Sequence, residues 1–175
     1  MANYVEISAQ VIGGLACLIG AGAFLQRQDI KLRALLCING ALLALHFLML
    51  GATAAAISSL LCAVRTWVSG YYRTQTVMLI FIIAALGLVI PYVEHPMQIL
   101  TLIGTTLSTY ALFRLEGFAL RLCMLASTCV WLIHNIWAGS WGGILLEGSF
   151  LLINSYTILT VYGVQITTED KGHVE

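Results

Sequence analysis

Charged side chains vanish from this chain over stretches long enough to cross a lipid bilayer. No Asp, Glu, Lys or Arg falls between Glu6 and Arg27, and none between Arg73 and Glu94. A backbone inside hydrocarbon has no water to bond, so such stretches must satisfy their own amides as helices. The whole chain follows suit. It is 60% hydrophobic and 9% charged with a mean hydropathy of +0.94, where a soluble domain carries about a quarter charged residues. A surface so poor in charge needs lipid as its solvent, which makes the bilayer the first predicted partner.

Breaks in the apolar pattern place helices at 9–25, 34–50, 54–70, 77–93, 97–113, 118–137 and 142–163. The breaks are short and polar or glycine-bearing: Gln26–Arg33, Gly51–Thr53, Glu94–Pro96 and Gly139–Gly142. A run of ~17 residues reaches ~25 Å, the low end for a span. With seven spans and the N-terminus outside, Arg27, Lys31, Arg33, Arg65, Arg73, Arg114, Arg121 and Lys171 all fall on or toward the inner side. The predicted outer loops hold only acidic and neutral groups such as Glu6, Glu94 and His95. This is a positive-inside pattern, with the C-terminus in the cytoplasm. No basic region precedes the first apolar stretch, so that stretch is expected to stay as a helix.

A shift of 88 residues carries Leu32-Arg33 onto Leu120-Arg121, His46 onto His134 and Gly51 onto Gly139. The expected fold is therefore an all-α membrane protein of about seven transmembrane helices, arranged as two parallel three-helix bundles joined by a linker helix. The repeats are 1–73 and 96–166, the linker is 74–95, and 167–175 is a cytoplasmic tail. Parallel repeats place a shared cavity between them, near the midplane.

Polar residues inside the spans are expensive and mark that cavity's walls. Asn39 and His46 share one face of the second helix, and Ser58, Cys62, Arg65 and Ser69 form a stripe on the third. Thr101, Thr105 and Ser108 line one face of the fifth helix. Ser127, Trp131, His134 and Asn135 line one face of the sixth, and Glu147 and Asn154 one face of the seventh. The candidate cavity residues are thus Asn39, His46, Arg65, Trp131, His134, Asn135, Glu147 and Asn154. Several carry two readings. His134 and Glu147 sit at similar depth, and a pair between them clamps a hairpin, serves a proton-linked or solute-contacting role, or holds a metal or haem. Arg65 either snorkels to the inner interface or meets an anion or dipole in the cavity. Asn39 and Asn154 are helix–helix hydrogen bonds or ligands.

Other chemistry is not indicated. Net charge is zero, which argues against nucleic acid. Cys17, Cys37, Cys62, Cys123 and Cys129 form no C-x-x-C pair, so neither a disulfide framework nor a thiolate metal site is expected. No H-E-x-x-H, G-x-S-x-G or P-loop occurs, so no enzyme and no cofactor is predicted.

The segment Ile133–Gly143, then Leu146–Leu152 with Asn154, His46–Gly51 and Val64–Thr66, resembles the bacterial inner-membrane YgjV family. The resemblance covers nearly the whole chain and implies a multi-pass bacterial inner-membrane protein. The 3+1+3 plan also resembles SWEET and PQ-loop transporters, which move small solutes between two triple-helix bundles. That resemblance implies a transporter or facilitator of a small polar solute. The alternative is a non-transporting sensor or assembly protein; homo-oligomerisation is left open. The departure from the second group is plain, since Pro91 and Pro96 are the two prolines and no Pro-Gln dipeptide exists.

Overall fold

The computed structural model describes residues 2–24 and 29–162. Arg27, Lys171 and the expected tail 167–175 lie outside the described residues. Seven α-helices follow in order: α1 (Ala2–Phe24), α2 (Asp29–Met49), α3 (Thr53–Val68), α4 (Gln75–Val89), α5 (Ile99–Arg114), α6 (Gly117–Trp137) and α7 (Trp141–Thr157). Short 3₁₀ turns at Ile90–Tyr92 and Pro96–Gln98 join α4 to α5, and a π turn at Ile158–Tyr162 extends α7.

Glycine fixes two of the reversals. Gly51 and Gly139 take φ of +75° and +65°, a left-handed conformation that costs a glycine no Cβ clash. At each, two backbone bonds close the preceding helix. Ala52 N donates to Phe47 O and Gly51 N to Leu48 O; Ser140 N donates to Asn135 O and Gly139 N to Ile136 O. This is the Schellman pattern in both places. The repeated His-x₄-Gly spacing is thus a repeated helix end. The link into α5 works differently: the Gln98 Oε1 accepts from the amides of Glu94 and His95, while His95 Nδ1 accepts from Met97 N.

Neighbours along the chain pack together, and α1 also meets α7 while α3 meets α5. Six helices therefore enclose an interior, with α4 against α3 and α5 on the outside. The α1–α7 contact depends on small residues: a Cβ at Gly142 would run into the backbone of Gly13. Such close approach is how helices associate in lipid, where burial of apolar surface gives no drive. The basic residues gather at one end of the assembly. There Arg33 donates to Thr66 O, Arg73 reaches Leu112 O and Glu116, and Arg114 donates to Gln75. The opposite end carries the Gly51 and Gly139 turns, with Gln10 bonded to Gly139 O and the Trp141 amide.

The expectation of seven transmembrane helices in two parallel three-helix bundles is corrected here. Among the described residues four helical segments are long and apolar enough to cross a membrane: Tyr4–Ala23, Gln75–Tyr92, Gly117–Trp137 and Trp141–Thr160. α3 and α5 have 16 residues each, which gives ~24 Å against a hydrocarbon core of ~30 Å. The apolar part of α2, Arg33–Met49, is also short. α3 and α5 devote their polar faces to each other, and α2 gives its Asn39 and His46 to α1 and the start of α7, so apolar content alone misread them as spans. The expected linker, α4, is itself one of the four. The SWEET-like plan of two separate bundles goes with the same correction, because α1–α7 and α3–α5 contacts make one continuous assembly.

The Gly13–Gly142 crossing makes a direct prediction. Gly142→Val should destabilise the protein by ~1–3 kcal/mol or more through overpacking. Gly14→Ala, which faces open space, should be neutral or slightly stabilising. Thermal melts in detergent check the pair.

Candidate functional site

The polar stripe of α3 meets the polar stripe of α5 rung by rung. Ser58 Oγ donates to Thr101 Oγ1 at 3.2 Å, and Cys62 Sγ lies 3.6 Å from Thr105 Oγ1. Arg65 Nη1 donates to Ser108 Oγ at 2.7 Å and Thr109 Oγ1 at 3.1 Å. The α5 hydroxyls are oriented in turn by their own helix, Thr109 donating to Thr105 O and Ser108 to Gly104 O. Arg65 is only 5% exposed. A guanidinium so placed is costly unless oxygen surrounds it. Here neutral hydroxyls supply that oxygen, and no carboxylate lies within ion-pair distance of Arg65 among the described residues. Its Nε has no partner. The side chain is therefore turned sideways onto α5, and does not snorkel to the helix end.

Behind this ladder opens a cavity of about 430 Å³, walled by α2, α3, α5, α6 and α7. Asn39, Arg65, Trp131, Asn135, Glu147 and Asn154 line it; His46 and His134 do not. Much of the remaining wall is apolar, including Leu43, Phe47, Met124, Leu146 and Phe150. The polar groups are satisfied to different degrees. Asn39 Nδ2 donates to Ala16 O, tying α2 to α1. Asn154 and Arg121 hold each other, Nδ2 donating to Arg121 O and Arg121 Nη1 to Asn154 Oδ1. The Glu147 carboxyl stands beside the Thr128 hydroxyl, and both line the cavity. Asn135 Oδ1 is buried without a partner. It sits against Gly143, where any Cβ would collide with it.

The two histidines, equivalent by sequence, differ in the fold. His46 is fully bonded: Nδ1 lies 2.7 Å from Ala9 O and Nε2 2.7 Å from Ser140 Oγ. A carbonyl only accepts, so Nδ1 carries the hydrogen and Nε2 accepts from the serine hydroxyl. Ser140 Oγ also accepts from Gly143 N, so one knot joins α1, α2 and α7. His134 is fully buried, and neither ring nitrogen has a partner among the described residues. Aromatic rings surround it, with Phe47, Trp131 and Trp137 centroids at 5.8, 5.9 and 5.8 Å. The expected His134–Glu147 pair is therefore not formed, since both His134 nitrogens lack a partner. The asymmetry has a source in the sequence. Ser140, which serves His46, falls by the same 88-residue shift on Ala52, which has no hydroxyl to offer His134.

Sequence reasoning passed over Ala9, Phe47, Arg121, Thr128 and Ser140 as functional neighbours. Only the Ser140/Ala52 difference was visible in advance. Among the described residues no three His, Cys, Asp or Glu side chains converge as a metal site.

Residues 7–165 match the family described as "Bacterial inner membrane protein", Imp-YgjV. The chain is 40% identical over 167 residues to the inner membrane protein YgjV of Escherichia coli (strain K12), a match covering 95% of this chain and 91% of that protein. No solved structure matches it. The chain belongs to the YgjV family of bacterial inner-membrane proteins and is a multi-pass protein of that membrane.

The unequal histidines predict unequal mutants. His46→Leu strands Ala9 O and Ser140 and should destabilise by ~1–3 kcal/mol. His134→Leu removes no hydrogen bond and relieves a buried unpaired ring, so stability should hold or rise. Melting temperatures of the two purified variants, compared with the parent, check this ordering.

Proposed function

We propose that this family member binds a small polar solute in the α2–α7 cavity and lets it cross the inner membrane, without a chemical step. The observation that carries the reading is a cavity of about 430 Å³ whose walls combine apolar surface with polar groups not fully bonded by the protein. That volume is within the range of small-molecule sites, and so is the mixture of apolar walls with a few polar groups. Asn39, Arg65, Trp131, Asn135, Glu147 and Asn154 are the proposed contacts. His46 and His134 act from behind the wall, His46 by holding α1, α2 and α7 together and His134 by backing Phe47 and Trp131. We also propose that the end bearing Arg33, Arg73, Arg114 and Arg121 faces the cytoplasm, with the N-terminus outside, since basic residues favour the inner side.

One observation favours a second reading, a non-transporting sensor or assembly protein: most of the α3–α5 polar stripe is satisfied internally. The ladder alone would serve packing. Arg65 Nε and Asn135 Oδ1 are what it leaves over.

Cys62 lines the cavity and supplies the test. In a variant keeping Cys62 but with Cys17, Cys37, Cys123 and Cys129 replaced by Ala, proteoliposomes should take up at least one of a labelled polyol, hexose, amino acid, amine or dicarboxylate faster than empty liposomes. A membrane-permeant maleimide on Cys62 should then stop uptake. No flux for any solute, with protein that is folded, would favour the second reading. Orientation is checked in intact cells of a cysteine-free variant, where Trp141→Cys should react with an impermeant maleimide and Thr74→Cys should not.

A further inference from the structure

Two groups of opposite charge type face the same cavity from different walls without touching. Arg65 is anchored to Ser108, nine residues past the start of α5 at Ile99. The Glu147 carboxyl faces the cavity beside Thr128, nine residues before the end of α6 at Trp137. His95, four residues before Ile99, stacks on Trp137 with ring centroids 4.8 Å apart, and farther down Ser127 Oγ meets Gly104 O and Cys123 Sγ meets Leu107 O. Thr128 therefore lies ~14 Å below Trp137, and the Ser108 anchor of Arg65 ~6 Å deeper, toward the basic end. Arg65 belongs to the α3–α5 wall and Glu147 to the α6–α7 wall. No ion pair joins them, and the Arg65 Nε remains buried and unpartnered beside the cavity.

We infer that the occupant is a small zwitterion with an apolar side chain, its anionic group set on Arg65 and its ammonium on the Glu147 carboxyl. The inference rests on the cavity being a binding site, as proposed above. A guanidinium without a carboxylate partner selects a carboxylate by charge-assisted hydrogen bonds. A carboxyl on the facing wall selects a cation. Because both groups line one cavity of about 430 Å³, the ligand's two charges must lie a few bonds apart, as in an α-amino acid, and not at the ends of a long chain. Leu43, Met124, Leu146 and Phe150 line the same cavity and leave the rest of the ligand an apolar environment. Arg121 does not compete for the same group. It lies seven residues from Thr128 along α6, ~10 Å toward the basic end, and is tied to Asn154.

Four probes of matched size separate the charges: leucine, its 2-hydroxy acid analogue lacking the ammonium, leucinol lacking the carboxylate, and 4-methylpentane-1,2-diol lacking both. Equilibrium binding to the purified full chain in detergent needs no transport. Leucine should bind ~10- to 100-fold more tightly than either singly charged analogue, as expected for one charged hydrogen-bonding partner lost. The diol should bind weakest. Glu147→Gln should erase the preference for leucine over the hydroxy acid yet keep the preference over leucinol. Arg65→Gln should do the reverse, and a merely structural role for either residue would not produce this crossed pattern. If Arg65→Gln does not fold, the parent series and Glu147→Gln still decide. Equal binding of leucine and either analogue, or no binding of any probe to folded protein, overturns the inference. Zwitterion binding without flux would leave the inference standing and remove the transport reading. Flux of a neutral solute with no charge preference would do the opposite.

Discussion

A guanidinium in an apolar interior needs oxygen around it, and much of the inside of this protein follows from how Arg65 obtains it. Three of its neighbours on α5, Thr105, Ser108 and Thr109, present oxygen toward α3. Those hydroxyls are themselves bonded back to carbonyls of α5, which fixes their direction. Neutral oxygens compensate a charge only in part, and a partner left one-sided remains receptive. That is why the same residue both fastens α3 to α5 and leaves an unpartnered Nε beside the cavity.

The other wall is closed by contacts of a different kind. α1 and α7 approach at Gly13 and Gly142, closer than any side chain would allow. His46 crosses the same region, bonded to α1 through Ala9 and to the start of α7 through Ser140. Packing in lipid gains little from excluding apolar surface, so close backbone approach and hydrogen bonds do the fastening. The cavity survives between two tight seams, the α3–α5 ladder and the α1–α7 crossing.

The repeat explains a likeness and a difference together. Gly51 and Gly139 end their helices with the same pair of backbone bonds. Equivalent turns deliver His46 and His134 to equivalent depths on α2 and α6. Two contacts then separate their fates: Ser140 is present for His46 Nε2 where the other hairpin offers Ala52, and Ala9 O serves His46 Nδ1 while His134 Nδ1 meets no carbonyl among the described residues. His134, buried without partners, sits directly behind two cavity rings, Phe47 and Trp131.

Local chemistry determined a good deal of this. The scarcity of charge between Glu6 and Arg27, and between Arg73 and Glu94, dictated helices in lipid. Gly51 and Gly139 dictated two sharp reversals, and helical spacing put Ser58, Cys62 and Arg65 on one face. Those are properties of a residue and its neighbours within a few turns. Which helices span was not among them: 16 residues of α3 or α5 look as apolar as a short span until their polar faces are seen to meet. Nor could spacing tell that His134 would stand without a partner, or that Arg65 would turn toward α5. Periodicity fixes the face of a helix on which a side chain stands. Only the tertiary structure decides what stands opposite, because that depends on contacts between residues tens of positions apart.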